Sequence, residues 1–301
     1  MKGWLLYKRN KQALTDADHG VNRFLSAAAS LEIELEVYSP DQFELVVSQD
    51  DKKSILLDDS RVPLPDFILP RLGAESSYFA LAIIRQLEKL GVYTCNNSTA
   101  IETVKDKMFL AQLLGQSDLP IPKTMLVKFP VSLAVVEREI GFPLVIKNIS
   151  GARGIGIYLC ESATSFRDLM ELIASHSGNS QMILQEFIAS SYGRDLRVFV
   201  LGGKVIGCMQ RKAKGSFKAN YSLGGEVEPF ALTPEIEQLA IDCASLFNLE
   251  IAGIDLLFAK QGFKICEANS SPGFKGMEQA TGTDIALQIL EYIVKMTRAC
   301  A

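Results

Sequence analysis

The sequence predicts an α/β unit joined to an α+β unit. Strand and helix patterns alternate over the first hundred residues, and beyond them strands pair with near neighbours. A third observation locates the chemistry. Two carboxylates and an amide stand in consecutive apolar runs near the C-terminus: Asp255 in AGIDLLF, then Glu267 and Asn269 in FKICEANSSPG. A chain of 301 residues has room for about two domains and a large core.

Residues 3–8 read as a first strand, and 20–30 as a helix with Val21, Phe24, Leu25 and Ala28 on one face. ELEVYSP alternates as a strand and stops at Pro40. The polar stretch 41–60 accommodates a small hairpin. DFILPR (66–71) is a short buried strand, and 76–90 is a helix that Gly91 closes. No glycine-rich turn follows the first strand, so the dinucleotide-binding form of such a domain is excluded. Next come a helix over 105–115, a strand at 123–128, a helix at 131–140 and strands at 143–147 and 156–160 around a glycine-rich link. A helix at 163–175 and a strand at 181–187 follow. The remainder pairs strands 195–200 and 204–211, adds a helix near 233–247 and a hairpin over 250–267, and closes with a helix over 283–298.

Composition narrows the class of partner. Against 31 Lys and Arg stand 35 Asp and Glu, a formal charge of -4, which argues against a nucleic-acid partner. The N-terminal apolar stretch of four residues is too short for a signal peptide or a membrane span, so a soluble cytoplasmic protein is expected. The six cysteines form no CxxC and read as reduced thiols; with two histidines, a His-rich zinc site is not expected.

Period two places Glu267 and Asn269 on one strand face, and a hairpin brings Asp255 opposite them. Cys266 and Ala268 are then expected to face the core. Three oxygen donors without histidine suit Mg²⁺ or Mn²⁺. The plainer alternative is an Asx-rich hairpin end, but acids embedded in apolar strands need a cation or a charged partner. Upstream, Lys147 ends the strand PLVIK beside the loop Gly151, Ala152, Arg153, Gly154, Ile155, Gly156. Such a loop suits a phosphate nest or a simple hairpin turn. Lys107 is expected at a helix start, where free N–H groups add positive field. Gln185, Glu186 and Phe187 end a strand where a purine edge fits, and the same stretch reads equally as a hinge. Arg194, Asp195 and Arg197, then Arg211, Lys212 and Lys214, lie at adjoining ends of an antiparallel pair, a positive edge suited to phosphoryl oxygens; solvated strand ends are the plainer alternative. Arg71 should emerge at the C-terminal end of its strand, where open α/β sheets hold ligands; a surface arginine is the simpler alternative.

The ordered set DKMFLAQLL, GFPLVIK, GARGIG, LQEFI, GRDLRVFV, RKAKGSFKAN, AGIDLLF and EANSSPGFKGME, with PRLG and TGTDIA, resembles the ATP-grasp carboxylate–amine ligases. The branch it is most similar to is that of the ribosomal protein modification ligase RimK. The resemblance spans nearly the whole chain. It implies an ATP-grasp fold with a small N-terminal pre-ATP-grasp α/β domain over 1–103, a central subdomain over 104–187 and a C-terminal, metal-binding subdomain over 188–301. It further implies that Lys107 and Lys147 contact ATP phosphates under a lid formed by Gly151, Arg153, Gly154 and Gly156. Glu186 and Phe187 would sit at the adenine, Asp195 at the nucleoside, and Lys218 and Asn220 on the phosphate side. Asp255, Glu267 and Asn269 would hold two Mg²⁺ ions, and Arg211 would face the acyl-phosphate. The implied reaction joins an amino acid, glutamate first, to an amine or carboxylate acceptor; a small-molecule synthetase of dipeptide or glutathione type is the alternative. The resemblance also implies a homo-dimer or homo-tetramer. Leu223 stands where the family commonly carries a basic residue, which points to a different second substrate.

Overall fold

The computed structural model describes residues 1–49, 54–73, 76–149, 156–176, 181–219, 221 and 224–300. The first segment contains β1 (Lys2–Leu6), α1 (His19–Ser30), β2 (Glu34–Tyr38), β3 (Phe43–Leu45), β4 (Ile55–Leu57), β5 (Phe67–Pro70), α2 (Tyr78–Lys89) and β6 (Tyr93–Thr94). Its main sheet runs β2-β1-β5-β6, all parallel, while β3 and β4 form the small antiparallel hairpin. The chain leaves β1 for β2 on one side and returns to β5 on the other, so the topological switch lies between β1 and β5. Both faces of this sheet are covered, as parallel strands require. Phe24, Ala27 and Ala28 of α1 pack with Leu5, Phe67 and Leu69, and Leu81, Ile84 and Leu87 of α2 pack with Trp4, Leu6 and Ile68. Ser77 caps α2 by accepting from the Ala80 N–H, and Gly91 ends it at φ +83°.

The middle of the chain holds α3 (Ser98–Lys105), α4 (Lys107–Gln116), β7 (Thr124–Leu126), α5 (Leu133–Glu139), β8 (Leu144–Asn148), β9 (Ile157–Cys160), α6 (Ala163–His176) and β10 (Met182–Glu186). Its antiparallel sheet has the order β7-β10-β8-β9. The helix expected over 105–115 is α4, displaced by a residue or two; α3, which was not expected, precedes it, and the two meet at Asp106. That residue is extended (φ -85°, ψ 104°), and its side chain accepts from the N–H groups of Met108 and Phe109 to start α4.

The last third contains β11 (Arg194–Leu201), β12 (Lys204–Lys212), β13 (Glu226–Pro229), α7 (Pro234–Leu246), β14 (Ile251–Phe258), β15 (Phe263–Asn269), α8 (Lys275–Thr281) and α9 (Ile285–Cys300). The sheet β13-β12-β11-β14-β15 is antiparallel throughout. Alternation divides its strands cleanly. Leu196, Val198, Val200, Ile254 and Leu256 pack with α7, α3 and α4, while Phe199 and Leu201 share a core with α1, α9 and the first sheet. The C-terminal helix therefore closes the N-terminal domain. No helix among the described residues is long and apolar enough to cross a membrane.

Candidate active site

A buried acid in an apolar strand needs a charged partner, and Asp255 has two. Arg197 lies directly across from it in the β11–β14 register, and Asp195 lies across from Arg211 in the β11–β12 register. Asp195 and Arg197 are two residues apart, so all four side chains share one sheet face. Arg197 is bidentate on Asp255, with its Nε on Oδ1 and its Nη2 2.9 Å from Oδ2. Arg211 is bidentate on Asp195, Nε to Oδ1 at 2.6 Å and Nη2 to Oδ2 at 2.8 Å; the same Nη2 lies 2.9 Å from Asp255 Oδ2. Gly253 makes room for this pairing: a Cβ there would sit 3.0 Å from Arg197 Nη1 and 2.6 Å from Pro272 Cβ. Burial opposes the Asp255 charge, but Arg197 and Arg211 outweigh it and hold the carboxyl below its usual range.

Across β14–β15, Asp255 faces Glu267 and Gly253 faces Asn269, so the predicted trio shares this face. The expectation for Cys266 is corrected. The ladder pairs Asp255 with Glu267 but Leu256 with Ile265, leaving Cys266 as the extra residue of a β-bulge. Ala268 is in the core as expected, whereas the Cys266 thiol lies 3.3 Å from Lys147 Nζ. Glu267 and Asn269 make no side-chain hydrogen bond among the described residues, so their oxygens are uncommitted. Among those residues no three His, Cys, Asp or Glu converge as a metal site; the expected set is two acids and one amide, Asp255, Glu267 and Asn269. Hard oxygen donors of this kind fit Mg²⁺.

Lys147 and Lys107 meet from different segments. Lys147, 7 % exposed at the end of β8, donates to Gln185 Oε1 at 2.6 Å. The Gln185 amide is fixed at its other end, where Nε2 donates to Thr124 Oγ1 at 3.1 Å. Lys107 Nζ donates to the Ile149 carbonyl at 3.2 Å. Both lysines line one cleft with Leu110, Thr124, Gln185 and Cys266. Burial lowers the pKa of Lys107 and Lys147 adds to the effect; Glu267 opposes it. Lys107 does begin a helix, but the free N–H field expected there is reduced, because the Asp106 carboxylate accepts two of those donors.

The remaining expected residues have definite places. Glu186 accepts from Lys264 Nζ at 2.7 Å and from the Lys123 N–H at 3.1 Å, so its side chain braces the strand end. The Phe187 ring meets Tyr192 edge-on at 6.2 Å. Asp195, expected at a nucleoside, is committed to Arg211 here. Lys218 lies 5.7 Å from the Tyr158 ring of β9. Gly156 holds φ +72° and its carbonyl accepts from the Asn148 N–H at 3.0 Å, closing the β8–β9 hairpin. Gly151, Arg153, Gly154, Asn220 and Leu223 lie outside the described residues. Arg71 follows β5 at the switch point, where it packs over Phe24 and Phe274 at 5.4 and 5.8 Å. Its Nη2 donates to the Pro272 carbonyl at 2.7 Å, while buried Nη1 has no partner among the described residues. Burial pushes its pKa down to about 10.

One positioning residue, Asn96, escaped the sequence reading; Arg197 and Gln185 were expected in other roles, in the phosphoryl-facing edge and at the purine edge, rather than as partners of Asp255 and Lys147. The Asn96 amide accepts from the Glu250 and Ile251 N–H groups at 2.7 and 2.9 Å. It donates to the carbonyls of Ile251 and Ser270 at 2.7 and 2.8 Å. It thereby ties the start of β14 to the residue after Asn269. The charge alternation of RDLR against AGID was the available signal for Arg197.

Two family models match this chain: the RimK PreATP-grasp domain over residues 14–101 and the RimK-like ATP-grasp domain over residues 104–293. The chain belongs to the RimK-like ATP-grasp family. It is 36 % identical over 250 residues to a probable alpha-L-glutamate ligase 2 of Shewanella amazonensis, covering 82 % of each chain. It is 38 % identical over 232 residues to a probable alpha-L-glutamate ligase of Methanococcoides burtonii, covering 76 % of each. Its fold matches the ATP-grasp ligase PsnB bound to a minimal precursor, with TM-score 0.75, 18 % identity and 98 % of both chains covered. It also matches D-alanine–D-alanine ligase of Bacillus anthracis, with TM-score 0.73, 16 % identity and 100 % and 98 % covered. RimK-like membership makes the protein an ATP-dependent carboxylate–amine ligase with a pre-ATP-grasp domain.

Proposed function

We propose that the protein joins glutamate to a peptide, protein or small-molecule acceptor, with ATP and Mg²⁺ and through an acyl-phosphate. The observation that carries this reading is the convergence of Asp255, Glu267 and Asn269 with Arg211 on one sheet face. The naming of relatives at 36–38 % identity as probable glutamate ligases supports glutamate.

A substrate carboxylate attacks the γ-phosphorus of ATP, giving ADP and an acyl-phosphate. An amine then attacks the acyl carbon, expels phosphate and leaves an amide. Lys107 and Lys147 hold the polyphosphate, and Arg211 steadies the anionic acyl-phosphate with the donors beyond the pair it gives Asp195. Asp255, Glu267 and Asn269 would hold the metal, which supplies charge neutralisation at the phosphates. A second ion and Mn²⁺ fit the same donors. Positioning and charge suffice, so no protein nucleophile is required. Arg71 would offer its charge to the amino acid from the first domain; its buried Nη1 is without a partner among the described residues.

The test is phosphate release with glutamate, aspartate and neutral amino acids over a pool of acceptors, with mass spectrometry of the product. Glutamate should be preferred, and Arg71→Ala should raise its KM. Preference for neutral amino acids, with Arg71→Ala changing no substrate parameter, would overturn both the pocket and its acidic selectivity.

A further inference from the structure

Resting on the reading of Asp255 as a metal ligand, we propose that Arg211 is an exchangeable occupant of that carboxylate. Metal–nucleotide binding releases its Nη2 arm from Asp255 and makes the arm available to the substrate carboxylate or acyl-phosphate. Metal loading and recognition of the anionic substrate are thereby coupled.

Counting donors singles out Arg211. Asp255 accepts two hydrogen bonds from Arg197, one on each oxygen, and Oδ2 carries in addition an ion-pair contact from Arg211 Nη2 at 2.9 Å. Oδ2 therefore faces two guanidinium groups, and room for another cation there is scarce. A divalent cation at this carboxylate competes with the arginines for lone pairs and repels their charge. The two arginines are not equally held. Arg197 grips Asp255 with two parallel bonds, sits directly across from it in the ladder and fills the space left by Gly253. Arg211 reaches Asp255 through Nη2 alone, while its other two bonds go to Asp195. Breaking the single contact leaves Arg211 anchored at the end of β12, on the face that carries Glu267 and Asn269. The freed arm is therefore delivered to the substrate rather than lost to solvent.

Linkage makes the coupling reciprocal: whatever weakens Arg211 on Asp255 must tighten the metal, and an anion bound by Arg211 must do the same. The affinity of Mg²⁺ with a non-hydrolysable ATP analogue is measured by calorimetry for wild type, Arg211→Gln and Arg211→Lys. Arg211→Gln should lose turnover yet bind the metal–nucleotide on the order of 5- to 10-fold more tightly. Arg211→Lys separates contact from charge. It keeps the positive charge but lacks the fork, so affinity should still rise several-fold. An Arg211→Lys affinity at or below wild type overturns the exchange. Because either variant can misfold, the wild type is also followed by ¹⁵N NMR of arginine Nη groups. Adding Mg²⁺ to the analogue complex should shift Arg211 Nη2, which leaves Asp255, while Arg211 Nε, held by Asp195, stays nearly unmoved; an unshifted Arg211 Nη2 overturns the proposal. If wild type shows no metal-dependent nucleotide binding, the metal-site reading falls with it. If wild type binds and the variants bind no more tightly, only the exchange falls.

Discussion

Asp255 and Glu267 stand side by side, yet their removal should have very unequal consequences for stability. Asp255 is 4 % exposed and carries two buried guanidinium groups. Asp255→Asn deletes the negative charge and leaves Arg197 buried with an amide for a partner. Breaking one side of a buried pair costs about 3–5 kcal/mol. For a chain of this size roughly 2 °C of melting temperature is lost per kcal/mol, so Tm should fall by about 6–10 °C. Glu267 makes no side-chain hydrogen bond among the described residues, and Glu267→Gln preserves its shape. Its stability cost should stay within about 0.5 kcal/mol, or about 1 °C. Both variants should lose nearly all phosphate release, because each removes a carboxylate from the proposed metal site. The assay pairs metal-free thermal melts with single-substrate and full-reaction phosphate release. Equal melting temperatures for the two variants would refute the claim that Asp255 anchors the arginines. Normal turnover in Glu267→Gln would refute the metal assignment.

Three further outcomes follow from individual contacts. Because burial depresses Lys107, kcat/KM for ATP should decline on the alkaline side below the ordinary lysine value of 10.5, and Lys107→Arg should move that limb upward; an unchanged limb in the variant assigns it elsewhere. Gln185→Glu places a carboxylate against Lys147 Nζ, now 2.6 Å from the amide oxygen, and should raise KM for ATP about tenfold with Tm unchanged; an unaltered KM means that Lys147 does not need its net charge. Asp18 is opposed by burial but held down to about 2 by Thr15, Tyr7 and Arg9, below its ordinary 3.8. Its stabilisation is present above pH 4 and lost as pH falls towards 2, so the acid-induced drop in Tm should be smaller in Asp18→Asn, and equal drops would contradict it.

Much of the fold was legible because amphipathic periodicity is a local property. The α1 face, the α2 stop at Gly91 and the β14–β15 hairpin all follow from spacing within a dozen residues. Elements without a periodic signature were lost. The strand β13 is four mostly exposed residues, β6 is two, and α8 is a short helix whose burial comes from packing on β12 and β13. The helix α3 was missed for a different reason: it has only eight residues and runs directly into α4, so that only the extended backbone and cap of Asp106 separate the two.

The site divides along the same line. Which acids share a face follows from period two, and Asp255 opposite Glu267 needed no tertiary information. The identity of the buried charge partner did need it. The requirement for a cation beside Asp255 was correctly inferred from its apolar surroundings, and a divalent metal was taken to satisfy it. In this structure the partner is Arg197, one strand over in a register that no local pattern specifies. On the proposed metal reading these are not competing answers. An acid that stays charged without a metal requires a resident counter-ion, and one that gives way to a metal requires a counter-ion held weakly enough to exchange. Arg197, with two hydrogen bonds, would meet the first requirement, and Arg211, with one ion-pair contact, the second. The bulge at Cys266 makes the same point at the level of backbone: one extra residue turns a side chain expected in the core onto Lys147, in the cleft that lysine shares with Lys107.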